Sequence, residues 1–90
     1  MSKRRSSARP LFRSLTARRI EEIRAGKDLS REALAAKIAA VASGGEHWDR
    51  VKVFRHETGR LSISAEDAAL YATALDVSIA SLYRESKAAS

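Results

Sequence analysis

Each stretch of helical apolar spacing in this chain is short and opens at a residue able to cap a helix, which restricts the fold to several short helices. Ser30 precedes a segment in which Leu34, Ile38 and Val41 recur at helical spacing, with Ala35 and Ala42 beside them and Glu32 in the first turn. This helix is predicted to run to about residue 42, where Ser43-Gly44-Gly45 ends it. Asp49 caps a basic segment that extends to about Thr58 and stops at Gly59. Upstream, Ser14 or Thr16 caps a helix to Ala25 with Ile20 and Ile23 facing inward and Gly26 as a left-handed stop. Downstream, Ser64-Ala65-Glu66-Asp67 is a variant capping box opening a helix through Leu70, Tyr71, Ala74 and Leu75. Asp76 tolerates the left-handed stop, and Ser78 caps a last short helix with Ile79, Leu82 and Tyr83. Strand periodicity is essentially lacking. The expected fold class is all-α, a compact bundle of about five short helices.

Charge divides the chain unevenly. Residues 1–19 hold Lys3, Arg4, Arg5, Arg9, Arg13, Arg18 and Arg19 and no acid, whereas residues 20–90 hold ten basic and eleven acidic residues. The excess of the +6 net charge therefore lies on an N-terminal arm and the first turn of the first helix. Residues 1–13 have no apolar period and are expected to be disordered when unbound, as are residues 86–90, leaving 14–85 as the folded domain. Such an arm is attracted to polyanions, of which nucleic acid is the commonest. A solvated tail and an organellar transit peptide are the other readings of an acid-free, Arg- and Ser-rich start.

Three blocks further along carry a resemblance. Leu29-Ser30-Arg31-Glu32-Ala33-Leu34-Ala35 resembles the opening of the second helix in lambda-repressor-like (Xre family) helix-turn-helix DNA-binding domains. Glu57-Thr58-Gly59 resembles the Glu-x-Gly end of that family's recognition helix, and Ala74-Leu75-Asp76-Val77-Ser78-Ile79-Ala80-Ser81-Leu82 resembles its closing segment. The blocks stand in the family's order and cover about residues 19–83. Two departures accompany them. Ile38 and Val53 are 15 residues apart, where the family pattern has about seven, so the connection over residues 43–48 is enlarged. His56 stands where the family prefers a bulky apolar residue.

The resemblance implies roles residue by residue. Arg24 and Glu57 match a structural Arg–Glu pair tying the first helix to the third. Val53 takes the core position of the recognition helix, and Arg50, Val51 and Arg55 take positions facing bases in the major groove. Arg31 replaces a phosphate-bonding glutamine, and Arg31, Lys52 and Arg60 are the expected phosphate contacts. Lys3, Arg4, Arg5 and Arg9 of the arm are expected to add a further DNA contact. Trp48 fills an apolar slot before the cap. Tyr71, Leu75, Leu82 and Tyr83 belong to the core or to a C-terminal dimer surface. The residues read by themselves leave a second register open: Val51 and Phe54 share one helix face, and burying that pair would turn Lys52 and His56 outward. The family register exposes Phe54 instead.

Other chemistries find little support. His47 and His56 are two ligands at nine-residue spacing with no cysteine anywhere, which does not make a metal site. No nucleophile–base–acid constellation, phosphate-binding GxxxxGK[ST] loop or paired-carboxylate pocket is present, so no enzyme activity and no cofactor are expected. The Ser43-Gly44-Gly45 turn reads as a flexible connection rather than a phosphate cradle. No apolar run approaches the ~20 residues of a membrane span. The expectation is a cytoplasmic, nucleoid-associated transcriptional regulator of bacterial or phage type. It reads a specific double-stranded DNA site, as a homodimer, without an appended effector domain. Three rivals share the pattern: a DNA-binding antitoxin with a toxin partner, an architectural DNA binder, and a protein-interaction module such as an antiactivator.

Overall fold

The computed structural model describes residues 13–44 and 46–84. Four α-helices follow one another: α1 (Leu15–Gly26), α2 (Arg31–Val41), α3 (Arg50–Glu57) and α4 (Ala65–Leu75). A short 3-10 turn, Ile79–Tyr83, closes the described chain in place of the expected fifth α-helix. No strand occurs among the described residues.

Local chemistry sets each boundary. Ser14, Ser30, Asp49 and Ser64 sit in extended backbone, and each side chain accepts the amide N–H three residues on, at 2.9–3.1 Å. Each such cap contributes about 1 kcal/mol. Ser14, not Thr16, opens α1. Three helices end alike, on a residue with positive φ: Asp28 (58°) after α1, Gly59 (85°) after α3 and Asp76 (60°) after α4. In each case the next amide reaches back five residues, Leu29 to Arg24, Arg60 to Arg55 and Val77 to Ala72, at 2.9–3.1 Å. Gly26, expected as the left-handed stop of α1, is its last helical residue instead, and the reversal falls two residues later on Asp28. That delay lets Leu29 turn back against the core beneath α1.

The core gathers Ile20 from α1, Leu34, Ala35 and Ile38 from α2, Val53 from α3, Ala68, Tyr71, Ala72 and Leu75 from α4, and Leu82 from the closing turn. Trp48 enters from the connection ahead of α3 and is buried. Alanine at 35, 68 and 72 keeps α2 and α4 in close contact. The inward stripe of α2 stops at Ile38: Val41, expected to extend it, is exposed because α2 ends there and the chain swings away at Ala42 in extended conformation. The closing turn is tied to α1 by Arg19 Nε, which donates to the Ser81 carbonyl at 3.0 Å. Tyr71, Leu75 and Leu82 belong to the core, while Tyr83 is exposed.

Candidate nucleic-acid interface

The short helix α3 is divided cleanly by depth. Val53, His56 and Glu57 are buried, whereas Arg50, Val51, Phe54 and Arg55 are exposed. The register is therefore the one that turns Val53 inward and leaves Val51 and Phe54 outside, 42% and 40% exposed. The choice is decided at the buried side by an ionic cluster and a ring cluster, both rooted on α3.

The ionic cluster centres on the Glu57 carboxylate, whose side chain is fully buried. Arg24 of α1 donates to it from Nε at 2.6 Å and from Nη2 at 3.1 Å, and uses Nη1 to reach the Leu29 carbonyl at 2.8 Å. Arg31, the first residue of α2, adds a third bond from Nε at 2.9 Å. A second carboxylate, Glu21, stands 3.7 Å from the Arg31 Nη2. One buried acid thus gathers the ends of three helices, and its two guanidinium partners satisfy the lone pairs that burial would leave bare. The Arg24–Glu57 pairing follows the expected positions, and the Arg31 bond was not anticipated. Its signal in the sequence is that Arg31 begins α2 directly after the turn that Arg24 braces.

The ring cluster lies on the other side of α3. The His56 Nδ1 is 2.7 Å from the Tyr71 hydroxyl, and the rings of Trp48, His56 and Tyr71 have mutual centroid distances of 5.5–5.6 Å. Trp48 and Tyr71 meet edge to face. Desolvation holds the His56 imidazole below its ordinary pKa, against the opposing pull of Asp67, and burial raises the Tyr71 phenol far above its own. In the tautomer whose Nδ1 accepts from the Tyr71 hydroxyl, the ring proton sits on Nε2. That atom is buried, has no hydrogen-bond partner among the described residues, and lies 3.6 Å from the Asp67 Oδ2. The position that favours an apolar residue by resemblance is thus filled by a histidine with one ring nitrogen paired to a tyrosine and the other facing Asp67. At the cap, the Lys52 N–H and then the His47 ring hold the Asp49 carboxyl below the usual carboxylate range.

The remaining expected site residues fall into two groups. Arg50, Arg55 and Arg60 are exposed, and none makes an ion pair or side-chain hydrogen bond among the described residues. Lys52 does not join them: its ammonium lies 4.1 Å from the Trp48 ring centroid and 4.0 Å from a Glu46 carboxylate oxygen. Residue 52 lies on the flank of α3 nearest the connection, so its stem covers Trp48 rather than extending past the exposed face. Arg31 is shared. Its side chain is 34% exposed, is bonded to Glu57, and lies with its guanidinium carbon 5.1 Å from the Phe54 ring centroid. Lys3, Arg4, Arg5 and Arg9 lie outside the described residues.

Around Phe54 the surface is concave. A groove between the start of α2 and the outer face of α3 is lined by Arg24, Ser30, Arg31, Glu32, Arg50, Val51 and Phe54. Three of those are arginines and one is an acid; Arg24 is committed to Glu57, and the Ser30 cap already accepts the Ala33 amide. Arg31 and Arg50 give this end of the molecule an excess of positive charge over Glu32, which suits contact with a polyanion. No helix among the described residues is long and apolar enough to cross a membrane. Comparison with protein-family models, with curated proteins and with solved structures finds no match for the chain.

Proposed function

We propose that this chain binds duplex DNA with sequence preference, laying α3 in the major groove, and acts as a transcriptional regulator. In this reading α2 and α3 form a helix-turn-helix with an enlarged connection, as the resemblance to lambda-repressor-like domains implies. The observation that carries it is the division of α3. Its inner face is bound to the core by Val53, Glu57 and His56, and its outer face offers Arg50 and Arg55, unpaired within the described residues, beside Val51. A rigidly seated helix with exposed arginines at both edges of its outer face is suited to reading a groove. Arg50 and Arg55 bond guanine edges, Val51 and its neighbours meet the groove floor, and Arg31 and Arg60 hold phosphates. Lys3, Arg4, Arg5 and Arg9 add a second, salt-sensitive contact, and a homodimer reads a two-fold site.

The test is selection of bound duplexes from a randomised library by the purified full chain, repeated with Arg50→Ala and Arg55→Ala. A recurrent motif that relaxes at particular positions in the variants supports the reading. Binding without a motif supports an architectural role instead. Failure to retain duplex DNA at moderate salt refutes both and directs attention to a protein partner.

A further inference from the structure

The exposed face of α3 carries an anomaly for a purely electrostatic contact. Val51 and Phe54, one helical turn apart, are 42% and 40% exposed between Arg50 and Arg55 on the outer face of α3, facing Arg31 and Glu32 at the start of α2. Large apolar side chains among charged groups neither attract phosphates nor gain from water. Phe54 is also not loose. The Arg31 guanidinium lies over its ring at 5.1 Å, and Arg31 is itself fixed by Glu57 at 2.9 Å. The buried carboxylate therefore orients the arginine, and the arginine covers one side of the ring.

Resting on the proposed function, we propose that Val51 and Phe54 are specificity-determining residues that read the 5-methyl groups of thymines in the bound site. Charge complementarity supplies the occupant: the surrounding arginines draw in the DNA backbone, which brings base edges to the apolar pair. At the major-groove edge of the four base pairs, the thymine methyl is the apolar group available to such a surface. The bracing of Phe54 by Arg31 makes the contact sensitive to position, because the ring is not free to follow a displaced methyl. Arg31 then has a dual task, holding a phosphate and positioning the reader.

The experiment uses the full chain and a duplex recovered by the selection above, with each thymine replaced in turn by deoxyuridine, which removes the methyl and keeps every hydrogen-bonding group. Affinity is read by fluorescence anisotropy for the unaltered chain, Val51→Ala and Phe54→Ala. For the unaltered chain, one or two uracil positions should weaken binding about fourfold each, the ratio expected for one buried methyl-sized group. Phe54→Ala or Val51→Ala should bind the thymine and uracil duplexes equally at those positions, with an unchanged dependence on salt. Circular dichroism verifies that each variant is folded, which the exposure of both side chains permits. If every uracil duplex binds the unaltered chain as well as its parent, or the selected site has no thymine, the inference fails while the DNA reading stands. If the chain selects no duplex at all, the proposed function fails as well, and the apolar pair belongs to a protein contact.

Discussion

Replacing Glu57 by glutamine tests the claim that one buried carboxylate fixes α3. The substitution preserves shape and volume but removes the charge that faces two guanidinium groups. The Glu57 side chain is fully buried and accepts three N–H groups at 2.6, 2.9 and 3.1 Å. An amide in its place accepts on one side only and points N–H donors at N–H donors on the other. Breaking a buried pair by removing one partner costs about 3–5 kcal/mol. A domain of about 70 residues has a total stability of roughly 4–10 kcal/mol. Glu57→Gln should therefore remove a third or more of it. With a urea slope near 1 kcal/mol/M for a domain this small, the midpoint should drop by about 3 M or more. Trp48, buried beside α3, provides the fluorescence signal for the titration. The two arginines should rank by burial. Arg24, 12% exposed and making three hydrogen bonds, should cost about 2–4 kcal/mol as Arg24→Ala. Arg31, 34% exposed and bonded once to Glu57, should cost about 1 kcal/mol as Arg31→Ala, since solvent screens it. A Glu57→Gln loss under 1 kcal/mol, or an inverted order of the arginines, would refute the reasoning.

The remaining predictions follow from other parts of the fold. Because burial holds the His56 pKa below the ordinary 6.5, the unfolded chain binds this proton more readily than the folded one. The stability from the neutral ring is complete above about pH 6.5 and declines as pH falls towards the folded pKa, at no more than ~1.4 kcal/mol per pH unit. His56→Leu should flatten that slope in urea titrations at stepped pH, and an unchanged slope would assign it to other groups. Ser30→Ala, which removes the α2 cap, should cost about 1 kcal/mol in the same assay. Under the proposed function, converting Lys3, Arg4, Arg5 and Arg9 together to alanine should lower the slope of log affinity for DNA against log salt by up to about 3–4, and no change would exclude the arm from DNA.

The parts legible in the sequence were those fixed by neighbours along the chain. Ser30, Asp49 and Ser64 announce helix starts because a side-chain oxygen three residues before an amide has one obvious use, and all three are used so. Gly59 and Asp76 announce helix ends, but Gly26 misled: a glycine permits a left-handed turn without requiring it, and Asp28 accepts that conformation where Leu29 must reach the core. Val41 misled for a related reason, since periodicity marks a face but not the point where its packing partner ends. The register of α3 was ambiguous because its eight residues span little more than two turns, and Val51 with Phe54 makes as good a stripe as Val53 with His56. Long-range pairing decides it, through the Glu57 bonds to Arg24 and Arg31 and the Tyr71 bond to His56.

The same partners explain why the exposed face and the core of α3 are not independent. Phe54 is positioned by Arg31, Arg31 by Glu57, and Glu57 by Arg24, so a chain of contacts runs from α1 to the outer surface. On the opposite flank Lys52 covers Trp48, which stacks near His56. A helix of eight residues is too short to be stable by itself, and its orientation must come from what it touches. Substituting Glu57 therefore acts on the outer face without removing any residue from it. Under the proposed function, Glu57→Gln should lower the preference for thymine over uracil at temperatures where the variant is still folded. Arg60→Ala, by contrast, should weaken all duplexes uniformly. Uniform weakening by both would separate the buried cluster from the reading of sequence and leave it a role in stability alone.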